Sequence, residues 1–440
     1  MHTLEQLRSG QLAGIRRLDL SAQLTEFPPE IFALADTLEV LNLSHNALRT
    51  LPPELPRLHR LNVLFASYNQ FTDWPQVLGQ CPQLRQVGLR NNQIRHLPAD
   101  GLPPQLRWLT LTDNALTHLP DALGTCQHLE KLMLSGNPLQ TLPEGLAHLP
   151  ALALLRVAAT QLRTLPGWLW ELPALAWLAA AGSPWCDEAA PRPCAAAVPD
   201  LAWATLRVHE RLGEGASGWI HRADWAAPGQ PPQAVALKLF KGTMTSDGLP
   251  HSEQAACLAA GPHPNVMGAL GRVSDHPQGQ AGLVMPLLPP HWQALAGPPS
   301  LASCSRDEYA PGLRLPPNVA LRLLRDAAHA LAHLHRQNVL HGDFYAHNLL
   351  WSPQHGQAML SDFGAALRWP LNHAATWGQA QRLDVLAFGH LLDEVRSRLD
   401  DSPDSLGLNS ALRSWWQACT QARPAHRPDM ATVAAALAAL

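Results

Sequence analysis

A period of 23 residues constrains this chain more than any other feature. Marker positions Gln23, Asn46, Asn69, Asn92, Asn114, Asn137, Thr160 and Ser183 follow one another at spacings of 23, 23, 23, 22, 23, 23 and 23. A leucine frame precedes each marker, as in Leu38, Leu41 and Leu43 before Asn46, or Leu129, Leu132 and Leu134 before Asn137. A Leu-Pro pair follows several of them, at Leu51-Pro52, Leu97-Pro98, Leu119-Pro120, Leu142-Pro143 and Leu165-Pro166. A period of this length repeats one supersecondary unit, and no unit can bury its apolar face alone. Each repeat is expected to place a short strand whose alternate leucines enter a shared core. The asparagine side chain then bonds backbone where the chain turns away from the strand. The decay of the last markers to Thr160 and Ser183 reads as a closing cap.

The pattern resembles the leucine-rich repeat family in its 23-residue form, over about residues 12–184. That resemblance implies an α/β solenoid, a horseshoe whose strand residues point to the concave side. Phe65, Arg90, Trp108, Lys131, Met133, Arg156 and Trp177 are the expected anchors for a protein partner on that side, since aromatic, arginine and methionine residues dominate binding hot spots. The plainer alternative is that a neighbouring domain covers some of them.

Residues 185–204 break the period. They are rich in Ala and Pro and read as a linker between a domain at 1–184 and another at 205–440. With 440 residues there is room for two or three domains. Hydrophobic residues make up 46% of the chain, enough for sizeable cores, and the net charge of −3 leaves no nucleic-acid or anionic-membrane footprint. Seven scattered cysteines, an odd number, point to a reducing compartment. The closest pair, Cys186 and Cys194, lacks partner ligands for a metal. No apolar run is long enough to span a membrane, and the first residues do not read as a secretory signal. A cytoplasmic protein is expected.

After about Leu201 the chemistry-bearing residues appear in order. Gly213, Gly215 and Gly218 form G-x-G-x-x-G between two candidate strands, where the lack of a Cβ lets backbone amides approach phosphate oxygens. Lys238 ends the apolar run Val235-Ala236-Leu237, and the chain has only two other lysines, Lys131 and Lys241. A buried cation needs a counter-charge, and Glu253, in a candidate helix, is the acidic residue within reach. Residues 289–316 show little pattern and read as a loop. A helix is expected from about Asn318 to Gln337. Asp343 and Asn348 then follow a short apolar stretch, and Asp362-Phe363-Gly364 follows another. Phosphoryl transfer from ATP needs a group to receive a hydroxyl proton and oxygens to hold magnesium on the phosphates. This stretch supplies both.

The whole set resembles the protein kinases: the glycine loop, the lysine strand, His263-Pro264-Asn265, the catalytic loop His341-Gly342-Asp343 to Asn348, and Asp-Phe-Gly. Asp384 to Gly389 resembles the start of the helix whose aspartate anchors the catalytic loop, and Arg427-Pro428 resembles the closing segment. The resemblance implies an α+β bilobed fold over about residues 205–440, with ATP and Mg2+ as cofactors. It assigns Asp343 as catalytic base, with Lys238 and Asn348 also catalytic. Gly213, Gly215, Gly218, Lys238, Glu253, Met285 and Leu287 would bind ATP, with Met285 as gatekeeper, and Asn348 and Asp362 would hold the metal. The acceptor is expected to be serine or threonine on a protein gripped by the repeats. Repeats followed by such a domain, with no membrane segment between them, resemble the leucine-rich-repeat kinases of bacteria.

Two positions depart from the kinase pattern. Gly342 stands where an arginine usually couples to an activation-loop phosphate, and Tyr345 stands where serine/threonine kinases commonly carry a lysine. From Asp362 to Asp384 the segment is short, with Thr376 as its one hydroxyl candidate. A kinase not switched by phosphorylation of that loop is expected. His347 is either a further donor or a packing residue. Two rivals stay open: a small-molecule phosphotransferase, which the His-Gly-Asp triplet also resembles, and a scaffold that binds ATP with the repeats as its working part.

Overall fold

The computed structural model describes residues 2–186, 198–227, 229–242, 244–245 and 247–440. The linker residues 187–197, Cys194 among them, lie outside this set. Contacts sort the chain into two compact units, Met1–Ala174 with Ser183–Trp185, and Leu175–Gly182 with Cys186–Leu440.

The first unit opens with a short helix α1 (Leu4–Arg8), closed by a capping box between Thr3 and Gln6. Three-residue strands follow, one per repeat: β1 (Arg17–Asp19), β2 (Val40–Asn42), β3 (Val63–Phe65), β4 (Gln86–Gly88), β5 (Trp108–Thr110), β6 (Lys131–Met133) and β7 (Leu154–Arg156). They pair in parallel and in register, so Leu18, Leu41, Leu64, Val87, Leu109, Leu132 and Leu155 form one ladder. An eighth strand, β8 (Trp177–Ala179), belongs by its contacts to the second unit.

The asparagine ladder explains why the marker recurs. Asn92 Nδ2 donates to Leu89 O of its own repeat and to Ala66 O of the repeat before, both at 3.1 Å, while Phe71 N donates to its Oδ1 at 3.1 Å. Asn69, Asn114 and Asn137 make the same set. One buried side chain thus satisfies backbone groups of adjacent repeats that a short strand leaves over. The residue just before the marker turns the corner with positive φ, for example 61° at His45, 55° at Tyr68 and 52° at Asn91. At Thr160 a hydroxyl bonds Val157 O in place of the amide.

The second unit begins earlier than the change of pattern suggests. Asp200–Ala202, read as linker, is a strand β9. Leu201 joins a core with Leu206, Ala223, Val235, Leu237, Val273 and Val284. An apolar residue alone among alanines carries too little periodicity to announce a strand this short. β10 (Leu206–Glu214), β11 (Gly218–Trp225) and β12 (Gln233–Phe240) precede helix α2 (Pro250–Ala260); β13 (Gly271–Ser274) and β14 (Gly282–Pro286) follow it. These strands make one sheet in the order β10-β11-β12-β14-β13-β9, in which only β9 runs parallel to its neighbour.

The remaining residues are mainly helical. β15 (Gln293–Ala294) lies in the segment read as a patternless loop, and α3 (Pro317–Arg336) occupies nearly the span expected for it. β16 (Val339–Leu340), β17 (Leu349–Trp351), β18 (Ala358–Leu360) and β19 (Leu367–Arg368) form small sheets on either side of residues 341–348 in sequence. α4 (Trp377–Arg396), α5 (Pro403–Cys419) and α6 (Met430–Ala439) complete the unit. α4 starts seven residues before Asp384, so the aspartate expected at a helix start lies in the second turn. Arg427 is 1% exposed and donates to Gln421 O and Arg382 O, and burial pulls its guanidinium down to about 10. Among the described residues, no helix is long and apolar enough to cross a membrane.

Candidate active site

A cavity of about 680 Å³ in the second unit gathers residues from five distant stretches of sequence. One wall is the glycine loop, Gly213 to Gly218, between β10 and β11. The facing residues are Ala236 and Lys238 of β12, Met285 to Leu288 after β14, and Asn348, Asp362 and Gly364. The volume falls within the usual range for small-molecule and cofactor sites.

The glycine loop is held from behind. Gly215 N donates to Gly218 O at 2.9 Å, and Lys241 Nζ reaches both Glu214 Oε1 at 2.6 Å and Gly215 O at 3.0 Å. Gly218 could carry no side chain, because a Cβ would stand 2.5 Å from Leu239 O, whereas Gly213 and Gly215 face open space. The Lys241 bond also lowers the Glu214 carboxyl below its ordinary pKa. Sequence reading missed Lys241, although its place three residues after Lys238 in a lysine-poor chain was a usable signal.

Lys238 pairs with Glu253 of α2 through Nζ and Oε1, as the search for a counter-charge required. Both side chains are largely buried, at 13% and 5% exposure. Lys238 lies opposite Leu283 on one side and Ile220 on the other, in the middle of the sheet, and lines the cavity.

The loop from His341 to Asn348 is fixed by a buried carboxylate. Asp384 accepts from His341 N at 3.0 Å, from Gly342 N at 3.1 Å and from the His335 ring at 3.0 Å. His341 is buried, its ring reaching Ser361 O at 3.1 Å and Asp343 N at 3.3 Å. Asn348 Nδ2 donates to Asp343 O at 2.8 Å and to Asp343 Oδ2 at 3.1 Å. With both amide hydrogens engaged, Oδ1 is what Asn348 has left for a cation. Asp362 sits at φ 56°, a conformation uncommon outside glycine, and its Oδ1 accepts from Gly364 N at 3.0 Å. Asp362 and Asn348 therefore bring oxygen donors to one cavity, the donor type that magnesium takes. The residues present fit a magnesium nucleotide.

The segment 289–316 reaches this loop as well. Leu295 N donates to Leu349 O at 2.9 Å. Asp307 accepts from His347 N at 3.0 Å and lies 2.8 Å from its Nδ1. Burial would push the His347 imidazole down, but the Asp307 bond, with the charges of Asp307, Asp343 and Asp362, outweighs it and raises the pKa. The same segment ties to α4 through Arg306 and Tyr309, which reach Glu394 at 2.7 and 2.9 Å. Glu394 is itself raised by burial. Sequence reading missed Asp307, since a side-chain bond across 40 residues leaves no period to detect.

The expected concave anchors divide. Phe65, Arg90, Trp108 and Met133 are half-buried. Gly88 makes room for the Phe65 ring, whose Cδ1 lies 2.6 Å from where a Cβ would be, and Phe65 meets Trp108 edge-on at 6.4 Å. Lys131, Arg156 and Trp177 are not exposed anchors. They are 7%, 3% and 2% exposed, and the Trp177 ring is stacked on Tyr345. Elsewhere His333 reaches Ala260 O and stacks on His263, so it serves packing.

Two family models match separate stretches of the chain. A family model for protein tyrosine and serine/threonine kinase matches residues 206–385. A leucine rich repeat model matches 36–94, 82–139 and 104–162. Similar curated proteins include a leucine-rich repeat and calponin homology domain-containing protein of Drosophila melanogaster, 45% identical over 14% of this chain and 8% of its own length. Podocan-like protein 1 of Mus musculus is 37% identical over 21% of this chain and 16% of its own. A probable serine/threonine-protein kinase of Dictyostelium discoideum is 36% identical over 16% and 6%. The chain thus spans at most 16% of the length of these relatives. A solved leucine-rich-repeat protein of Leptospira interrogans is 26% identical, with a TM-score of 0.37, over 42% of this chain and 53% of that one. The chain joins leucine-rich repeats to a protein kinase domain.

Proposed function

We propose that this chain is an active, magnesium-dependent protein kinase that transfers the γ-phosphoryl group of ATP to serine or threonine. The observation that carries the reading is the single cavity in which the glycine loop, the Lys238–Glu253 pair, Asn348 and Asp362 converge. In it, Lys238, held by Glu253, grips the ATP phosphates, and the glycine loop covers them with backbone amides. Met285 to Leu288 bound the base. Asn348 and Asp362 hold the metal, which neutralises charge on the phosphates when bound. Asp343 orients the acceptor hydroxyl and takes its proton. The odd number of scattered cysteines supports a reducing, cytoplasmic setting.

The half-buried patch of Phe65, Arg90, Trp108 and Met133 supports a protein partner on the strand face of the repeats, and we assign substrate recruitment to it.

The test is incubation with magnesium and γ-labelled ATP, followed by acid hydrolysis of the labelled protein. Label on phosphoserine or phosphothreonine is expected. Label on phosphotyrosine overturns the acceptor class. Label confined to a small molecule makes the chain a small-molecule phosphotransferase, and bound ATP without transfer makes it a scaffold.

A further inference from the structure

Gly342 and Tyr345, the two departures from the kinase pattern, lie three residues apart and meet the same element. Within the second unit, the segment Leu175–Gly182 packs on the catalytic loop. Leu178 N donates to Gly342 O at 3.0 Å, and Trp177 Nε1 donates to Phe344 O at 2.9 Å. These are the carbonyls on either side of Asp343. Between the two bonds, the Trp177 indole lies over the Tyr345 ring, with centroids 4.2 Å apart and planes 7° from parallel. His390 of α4 stacks on the same indole at 5.5 Å.

This contact accounts for both departures. Gly342 has φ +67°, and a Cβ there would stand 2.3 Å from Leu178 O. No arginine fits at this position while the segment is seated. Tyr345, at 6% exposure, offers a flat face to the indole where a lysine would offer a flexible charge. A short loop outside regular structure has few partners for its carbonyls, so bonds from a neighbouring strand decide how its peptide planes stand.

We propose that Trp177 is a positioning residue for the catalytic loop, holding the Phe344 carbonyl and the Tyr345 ring beside Asp343 from a segment that precedes the matched kinase region. Its kinetic consequence rests on the phosphotransfer reading above; its structural consequence does not. The arrangement takes the place of the arginine-to-phosphate coupling, so the loop stands ready without a phosphorylated activation segment.

The experiment uses the full chain with Trp177→Ala and Trp177→Phe. Hydrogen exchange across residues 339–350 is read beside kcat and the KM for ATP. In Trp177→Ala, exchange at Asp343 to Ala346 should quicken about tenfold while the β12 amides keep wild-type protection. kcat should fall about tenfold or more with an unchanged KM for ATP, as expected for a misplaced catalytic group. Trp177→Phe keeps the stack and loses the indole donor, so it should fall between the two. Unchanged exchange and kcat in Trp177→Ala overturn the proposal, as does a uniform rise in exchange across the unit. Should Trp177→Ala not fold, Trp177→Phe decides by the same two readouts. If the wild type transfers no phosphate, only the phosphotransfer reading fails, and exchange alone decides the role of Trp177.

Discussion

At the scale of residues, the site depends on how few groups carry charge into a largely apolar cavity. Lys238 and Glu253 are both buried, so each is tolerable only because of the other. Lys238→Met strands the Glu253 carboxylate, and we expect a loss of about 3 kcal/mol in unfolding free energy. Glu253→Met added to it should recover most of that loss in thermal unfolding, whereas ATP affinity should stay lost in both variants. Full recovery of ATP affinity in the double variant would remove Lys238 from the binding role. These residues were legible in sequence because each sits at a fixed distance from a glycine loop or an Asp-Phe-Gly triplet. Asp307 was not, because its partners, the His347 amide and ring, lie 40 residues away, and Lys241 offered a spacing but no sign of its partners Glu214 and Gly215. Trp177 was read as an exposed anchor because its place in the repeat is that of a concave residue. Its burial comes from residues 342 to 345, which periodicity cannot foresee.

At the scale of elements, the repeats are held by side chains that bond backbone in two repeats at once. Asn92→Ala would leave Phe71 N without its bond and take one of two asparagine bonds from each of Ala66 O and Leu89 O, which keep those from Asn69 and Asn114. We expect a cost of about 1–3 kcal/mol, read by chemical denaturation, since the buried Phe71 amide loses its partner. Arg95→Ala, on an exposed side chain, should change stability by less than about 0.5 kcal/mol. Equal effects from the two would contradict the role assigned to the ladder. The strands of this unit were readable because one pattern recurs eight times along the chain and every copy reinforces the others. β9 and β15 were not, since strands of three and two residues carry no period of their own and are defined by the partner strand they meet. The start of α4 was placed too late for a similar reason. Asp384 was the visible motif, but the helix begins ahead of it, at Trp377.

At the scale of the molecule, a solenoid and a kinase domain occupy one chain, and the residues we assign to phosphoryl transfer lie in the second unit. The cavity, the Lys238–Glu253 pair, the loop anchored by Asp384 and the Asp343–Asn348 contact are the parts a phosphoryl transfer needs. Asp343 is the group assigned to the proton of the acceptor. The most direct measurement is therefore phosphate transfer by the wild type and by Asp343→Asn at saturating magnesium and ATP, with nucleotide affinity read by calorimetry on the same samples. We expect transfer to fall by about 10²–10⁴-fold with affinity essentially unchanged, the effect of removing a general base. Transfer by Asp343→Asn at the wild-type rate would contradict the assignment and, with it, the kinase mechanism built on this loop.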